Sequence, residues 1–173
     1  MAEKHPELKK TLNSGKLVPD KEFTSYLAAY LDQENMYDGI IFDGFPRTVS
    51  QYNFLKDWLD DRNVSLDLTI VLSISEKETI RRLSNRRLDP TTGKIYNLVT
   101  EPIPPEVDKS KLVQRDDDKP EAIQKRLQLF REQTEPLIAE LKKNSEVVEV
   151  NGERPVDVIA SDLAKIIEER VNK

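Results

Sequence analysis

The sequence predicts an α/β fold with a mainly parallel sheet, interrupted by one small β lobe. Short apolar runs of strand composition, around Ile40, Ile70 and Val148, alternate with stretches whose apolar residues recur at helical spacing. Residues Arg87 to Arg115 break that alternation with the turn signal Asp89-Pro90-Thr91-Thr92-Gly93 and the prolines Pro102, Pro104 and Pro105. The chain has 173 residues, 37% hydrophobic and 34% charged, with no repeat or low-complexity tract, which suits one soluble domain carrying an inserted lobe.

The first helix follows from Phe23, Tyr26, Leu27, Tyr30 and Leu31, with Asp20 placed to cap its orphan backbone donors. Gly39 to Phe42 reads as a buried strand closed by the tight loop Asp43-Gly44-Phe45-Pro46, because neither strand nor helix runs simply through that glycine and proline. A second helix carries Phe54, Leu55, Trp58 and Leu59. Leu68 to Ile74 has the composition of a strand covered on both faces. Ser75 with Glu78 forms a capping box for a third helix, and Asp118 with Glu121 offers another. That one opens a long amphipathic helix through Ile123, Leu127, Phe130, Leu137 and Leu141, which Pro136 should bend or split. Val147 to Val150 is the last strand. Pro155 begins a terminal helix with Val156, Ile159, Leu163 and Ile166 inward.

Composition removes several chemistries. Without cysteine there is no disulfide framework, no thiolate zinc site and no catalytic thiol, and the lone His5 excludes any site built on two imidazoles. The five glycines write neither GxGxxG nor the phosphate loop GxxxxGK. No apolar run approaches the roughly 18 residues of a membrane span, and Met1 to Leu12 holds no secretory signal, so cytoplasm is the expected compartment. A net charge of -5 gives no overall field favouring nucleic acid or an anionic membrane, and anion chemistry must come from local arginines.

Those arginines form candidate sites. The loop Asp43 to Thr48 lies at the carboxyl end of an expected strand, where ligands bind in open parallel sheets. Gly44 lets a ligand approach the backbone, Arg47 offers a fork matching a phosphate, and Asp43 could hold the water shell of a magnesium ion; the bland alternative is a tight turn with a solvated arginine. Arg82 and Arg86, four apart on one expected helical face, repel unless an anion or a surface glutamate lies between them, and Arg81 and Arg87 add to the charge. Arg115 and Arg126 flank Asp116-Asp117-Asp118, three acids that read as helix caps or, as a minority alternative, a metal site. Arginine-dominated sites with one carboxylate suit phosphoryl transfer.

Gly15-Lys16-Leu17-Val18, Asp43-Gly44-Phe45-Pro46-Arg47-Thr48 with Gln51, Arg86-Arg87 through Gly93-Lys94-Ile95-Tyr96, Arg115-Asp116-Asp117, Arg126-Leu127 and Thr134-Glu135-Pro136-Leu137 together resemble the adenylate kinase family, in the family's order and over nearly the whole chain. The resemblance implies a P-loop-kinase-like, three-layer parallel sheet, with a nucleotide kinase core at 1–87 and 115–173, an AMP-binding part within 1–60, and a lid at 88–114. It implies magnesium-dependent exchange, ATP plus AMP to two ADP. On that resemblance Lys16, Leu17, Val18, Gly44, Phe45, Pro46, Arg47 and Gln51 receive AMP, Arg82 and Arg86 clamp the ATP phosphates beside Ile95 and Tyr96, and Arg154 lies near the ATP adenine. Arg115 and Arg126 bridge the two nucleotides. Mg2+ comes with ATP, and the lid is the form held without zinc.

The family also opens with a strand, a phosphate loop with its lysine, and a helix, none of which this sequence writes. The resemblance thus implies a chain that begins partway into the AMP-binding region, its first strand missing. Little phosphotransfer is expected of it alone, and an amino-terminal segment supplied separately becomes a partner. Lys94 and Asn97 replace arginine and histidine of many relatives. A second reading is a non-catalytic relative that keeps the AMP-side and lid surfaces as a binding or regulatory module.

Overall fold

The computed structural model describes residues 19–171, apart from Asp38 and Glu101. Those residues form an α/β chain in two compact units. One comprises the described residues up to Thr69 with Arg131–Glu146, and the other Ile70–Phe130 with the residues from Val147 on.

In the first unit, helix α1 (Asp20–Gln33) begins behind Pro19 and carries Asp20 and Glu22 in its first turn, where carboxylates complement the helix dipole. Asp20 is not the cap expected from the sequence: Pro19 holds that position, and no side chain caps the helix. Helix α2 (Val49–Asp60) is capped by Thr48, whose hydroxyl accepts from the Gln51 N–H at 3.1 Å. Leu31 of α1 and Leu55, Trp58 and Leu59 of α2 form a buried cluster, each large side chain contributing about 1.5–3 kcal/mol by leaving water. Helix α5 (Glu135–Asn144) packs against α2, with Leu137 and Leu141 buried. Arg62, just beyond α2, lies 4.3 Å from the Trp58 ring centroid and gives Asp32 of α1 an ion pair of 2.6 Å.

The expected strand at Gly39 to Phe42 does not form. The segment alternates as a strand would, Ile40 and Phe42 turned onto the core and Ile41 87% exposed, yet no ladder joins it to another strand among the described residues. A strand exists only through a neighbour's backbone groups, and periodicity alone does not supply one.

In the second unit, β1 (Thr69–Ser73) and β4 (Val147–Asn151) pair in parallel, and the Gly152 N–H continues the ladder to the Ser73 carbonyl at 2.8 Å. A Cβ on Gly152 would sit 3.3 Å from that carbonyl, so a side chain would crowd the closing bond. The expectation of a strand covered on both faces fails, because Leu72 is 52% exposed and Ile74 also faces solvent. Helix α3 (Glu76–Ser84) starts at Ser75, whose hydroxyl accepts from the Glu78 N–H. The box is only half made: the Ser75 N–H donates to Glu153, while the Glu78 carboxylate turns to Arg81 and Arg82.

The lobe is present as β2 (Arg86–Leu88) antiparallel to β3 (Ile95–Asn97), with Leu88 bridging to Val113. Helix α4 (Pro120–Leu129) follows. Its cap is Lys119 and not Asp118, because the Asp118 carboxylate faces Arg86. A π-helical turn at Phe130–Thr134 leads into α5, whose first turn holds Pro136; without an N–H, and with its ring against the preceding turn, proline splits the helix as expected. Phe130 and Val156, expected inward, are exposed, the latter 81% at the first position of α6 (Val156–Val171), before the helix has settled onto its apolar face.

Candidate functional site

The described candidate residues fall into two groups, one in each unit. The first is the loop before α2. Gly44 adopts φ +67°, the left-handed region that glycine enters without cost, and Phe45-Pro46 is a cis peptide. The Phe45 ring packs on Phe23 and Phe42, fixing the loop to the core. Arg47 folds back so that its Nε donates to the Gly44 carbonyl at 2.6 Å, and a Cβ on Gly44 would lie 2.8 Å from the guanidinium. No carboxylate pairs with Arg47 among the described residues, so its fork remains suited to a phosphate. Behind it the Arg47 N–H donates to Gln51 Oε1, and Gln51 Nε2 and the Thr48 hydroxyl both donate to Asp20. Asp43 is exposed, and no cluster of three metal-ligating side chains occurs among the described residues. Lys16, Leu17 and Val18 lie outside the described residues.

The second group centres on Asp117. Its Oδ2 lies 2.9 Å from Arg115, 3.6 Å from Arg86 and 3.9 Å from Arg126. Three guanidinium groups facing one carboxylate oxygen repel one another unless an anion stays between them. Arg86 also grips Asp118 with two hydrogen bonds, 2.6 and 2.9 Å, which raise the arginine's already high pKa against the opposing effect of burial. Arg82 is held differently. Its Nε donates to Glu78, and its terminal nitrogens donate to the Gly152 and Glu153 carbonyls. The expected shared helical face for Arg82 and Arg86 is corrected here: α3 ends at Ser84, and Arg86 belongs to β2. Hydrogen bonds from Arg81, then Arg82, pull the Glu78 pKa from 4.5 to about 2. Arg154 pairs with Asp162 at 2.7 Å, Tyr96 is buried beneath the Lys94 ammonium, and Ile95 is exposed.

The loop and the ordered arginines are matched by a family. Residues 2–146 fit the adenylate kinase family. The chain belongs to it. An adenylate kinase of Thermosipho africanus is 37% identical over 167 residues, covering 93% of this chain and 77% of the relative. Those of Oceanobacillus iheyensis, 36% identical over 94% and 77%, and Petrotoga mobilis, 33% over 92% and 74%, are similarly related. An adenylate kinase is a phosphotransferase, and the α/β fold with its parallel strand pair agrees with that membership.

The sequence reading missed the partners of these groups. The sequence pattern offers Asp20 as a cap, and Asp117 and Asp118 as caps or a metal site, since each stands just before or at the start of a helix. Asp117 does meet the neighbouring Arg115, but the partners Gln51 of Asp20 and Arg86 of Asp118 lie 31 and 32 residues away, beyond any local spacing rule.

Proposed function

We propose that this adenylate kinase relative serves reversible phosphoryl transfer, ATP plus AMP to two ADP, with phosphates held by arginines. The convergence of Arg86, Arg115 and Arg126 on the Asp117 carboxylate is the observation that carries the reading, because arginine forks that gather on an anionic oxygen also suit a phosphate. In this scheme Lys16, Leu17, Val18, Gly44, Phe45, Pro46, Arg47 and Gln51 receive AMP. Arg82, Arg86, Ile95, Tyr96 and Arg154 serve ATP, and Arg115 and Arg126 face both nucleotides. A transferring phosphoryl group needs little covalent help from protein; positioning and neutralisation of its equatorial oxygens lower the barrier. Residues 88–114 act as a lid whose closure excludes the water that would hydrolyse ATP. Mg2+ enters with ATP as part of the substrate, and Asp43 reaches it only through water. The expected setting is the cytoplasm.

The phosphate loop GxxxxGK is not written in these 173 residues, and we propose that transfer requires such a segment. The test is a coupled assay of ADP formation from ATP, AMP and magnesium, on this chain and on the chain joined to an amino-terminal phosphate-loop segment. Activity only in the joined protein supports the reading. AMP binding without turnover in either supports the alternative, a nucleotide-binding module.

A further inference from the structure

We propose that Asp20 is a positioning residue that sets the polarity of the Gln51 amide, and so makes the AMP side selective for a 6-aminopurine over a 6-oxopurine. The inference rests on the reading above, in which Gln51 meets the base.

A glutamine amide is chemically two-faced, and nothing intrinsic decides which end holds oxygen and which nitrogen. Here both ends are decided. Asp20 Oδ1 accepts from Gln51 Nε2 at 2.7 Å, and Gln51 Oε1 accepts from the Arg47 N–H at 2.7 Å. A flipped amide would set its oxygen against a carboxylate and its NH2 against an N–H, losing two hydrogen bonds and gaining two repulsions. Asp20 is itself fixed, because its Oδ2 accepts from the Thr48 hydroxyl at 2.6 Å, and that hydroxyl accepts from the Gln51 N–H. An aspartate in the first turn of a helix ordinarily finds backbone donors close by; this one caps nothing and reaches across to α2.

The pinned amide keeps one N–H and one oxygen lone pair free. Adenine presents an N6–H donor beside the N1 acceptor, whereas a 6-oxopurine presents an O6 acceptor beside an N1–H donor. An amide free to rotate could satisfy either base by flipping; one held in a single polarity satisfies adenine and leaves the other base opposed like to like.

The test is calorimetric titration with AMP and with IMP of the unmodified chain, Asp20→Asn, Gln51→Ala and the double variant, each with its thermal midpoint. Asparagine keeps the size of the side chain but can face either end of the glutamine amide. Asp20→Asn should reduce the AMP:IMP affinity ratio roughly tenfold, by losing AMP and gaining IMP, and should have no further effect on the ratio in Gln51→Ala. If Gln51→Ala abolishes the ratio while Asp20→Asn leaves it intact, or weakens both nucleotides equally, the inference is overturned and the reading of Gln51 stands. If Gln51→Ala leaves the ratio unchanged, or the unmodified chain binds neither nucleotide, the reading fails and the inference with it.

Discussion

Arg86 and Asp118 are joined by two parallel hydrogen bonds, and the Asp118 carboxylate is wholly buried. Removing one member of such a pair strands the other's charge in a poorly solvated place. Asp118→Ala should therefore lose about 3 kcal/mol, read from urea unfolding, part of the usual penalty being relieved because Arg86 retains some contact with solvent. Asp116→Ala is the contrast: its pair with Lys119 is exposed, and the midpoint should not move. Equal losses in the two variants would refute the assignment.

Asp117 should behave as a built-in substitute for a phosphate. In Asp117→Asn the three arginines keep their places but lose their anion, so the folded state weakens and gains affinity for polyanions. Inorganic tripolyphosphate should raise the thermal midpoint of the variant more than that of the unmodified chain, and added salt should erase the difference. A smaller shift in the variant would show that Asp117 helps anions bind instead of standing in for them.

Glu78 ties acid stability to the Arg82 anchor. Its folded pKa of about 2 lies below the unfolded value of 4.5, so its contribution is fully present above 4.5 and is lost as the pH falls from 4.5 towards 2. The facing groups are Arg81 and Arg82, with Glu153, itself pulled down by Ser75, on the neighbouring loop. Glu78→Gln should be less stable at neutral pH and flatter between pH 4.5 and 2 in urea titrations. Parallel curves for the two proteins would count against the linkage.

Gly44 answers two demands, a positive φ and room for the Arg47 guanidinium. Gly44→Ala should cost about 1–2 kcal/mol of stability through the left-handed backbone and weaken AMP by roughly tenfold or more through displacement of Arg47. Gly93 has φ +72° with open space around it, so Gly93→Ala should show the strain and leave AMP binding alone. Calorimetry on both variants separates the two effects.

What the sequence revealed, and what it hid, divides by range. The helical spacing of Leu55, Trp58 and Leu59, the Ser75 cap and the break at Pro136 are settled within one or two turns of chain, and each was legible. The strand expected at Ile40 was not, because pairing depends on a neighbour that periodicity does not name. The four-residue spacing of Arg82 and Arg86 suggests one helix and does not show where that helix stops; Asn85 caps its end and donates to the Arg81 carbonyl. The candidate site was readable as a set of arginines and unreadable as a geometry. What holds each arginine is a carboxylate or carbonyl chosen by the fold, from Asp117 beside Arg115 to Gly152 seventy residues beyond Arg82.

Arg62 offers a direct optical test of the α1 and α2 packing. Its guanidinium covers the ring of Trp58, the only tryptophan, while its nitrogens donate to Asp32 and to the Trp58 carbonyl. The indole Nε1 is buried with no acceptor among the described residues, so the ring depends on this cover to stay out of water. Arg62→Ala removes the cation, the fork and the cover together, and should cost about 1–2 kcal/mol. Tryptophan emission should shift to the red as water reaches the ring. Arg62→Lys keeps the charge but not the planar fork, and should fall between the two in both readings. Unchanged emission in Arg62→Ala, with an unchanged urea midpoint, would show that α1 and α2 hold Trp58 without it.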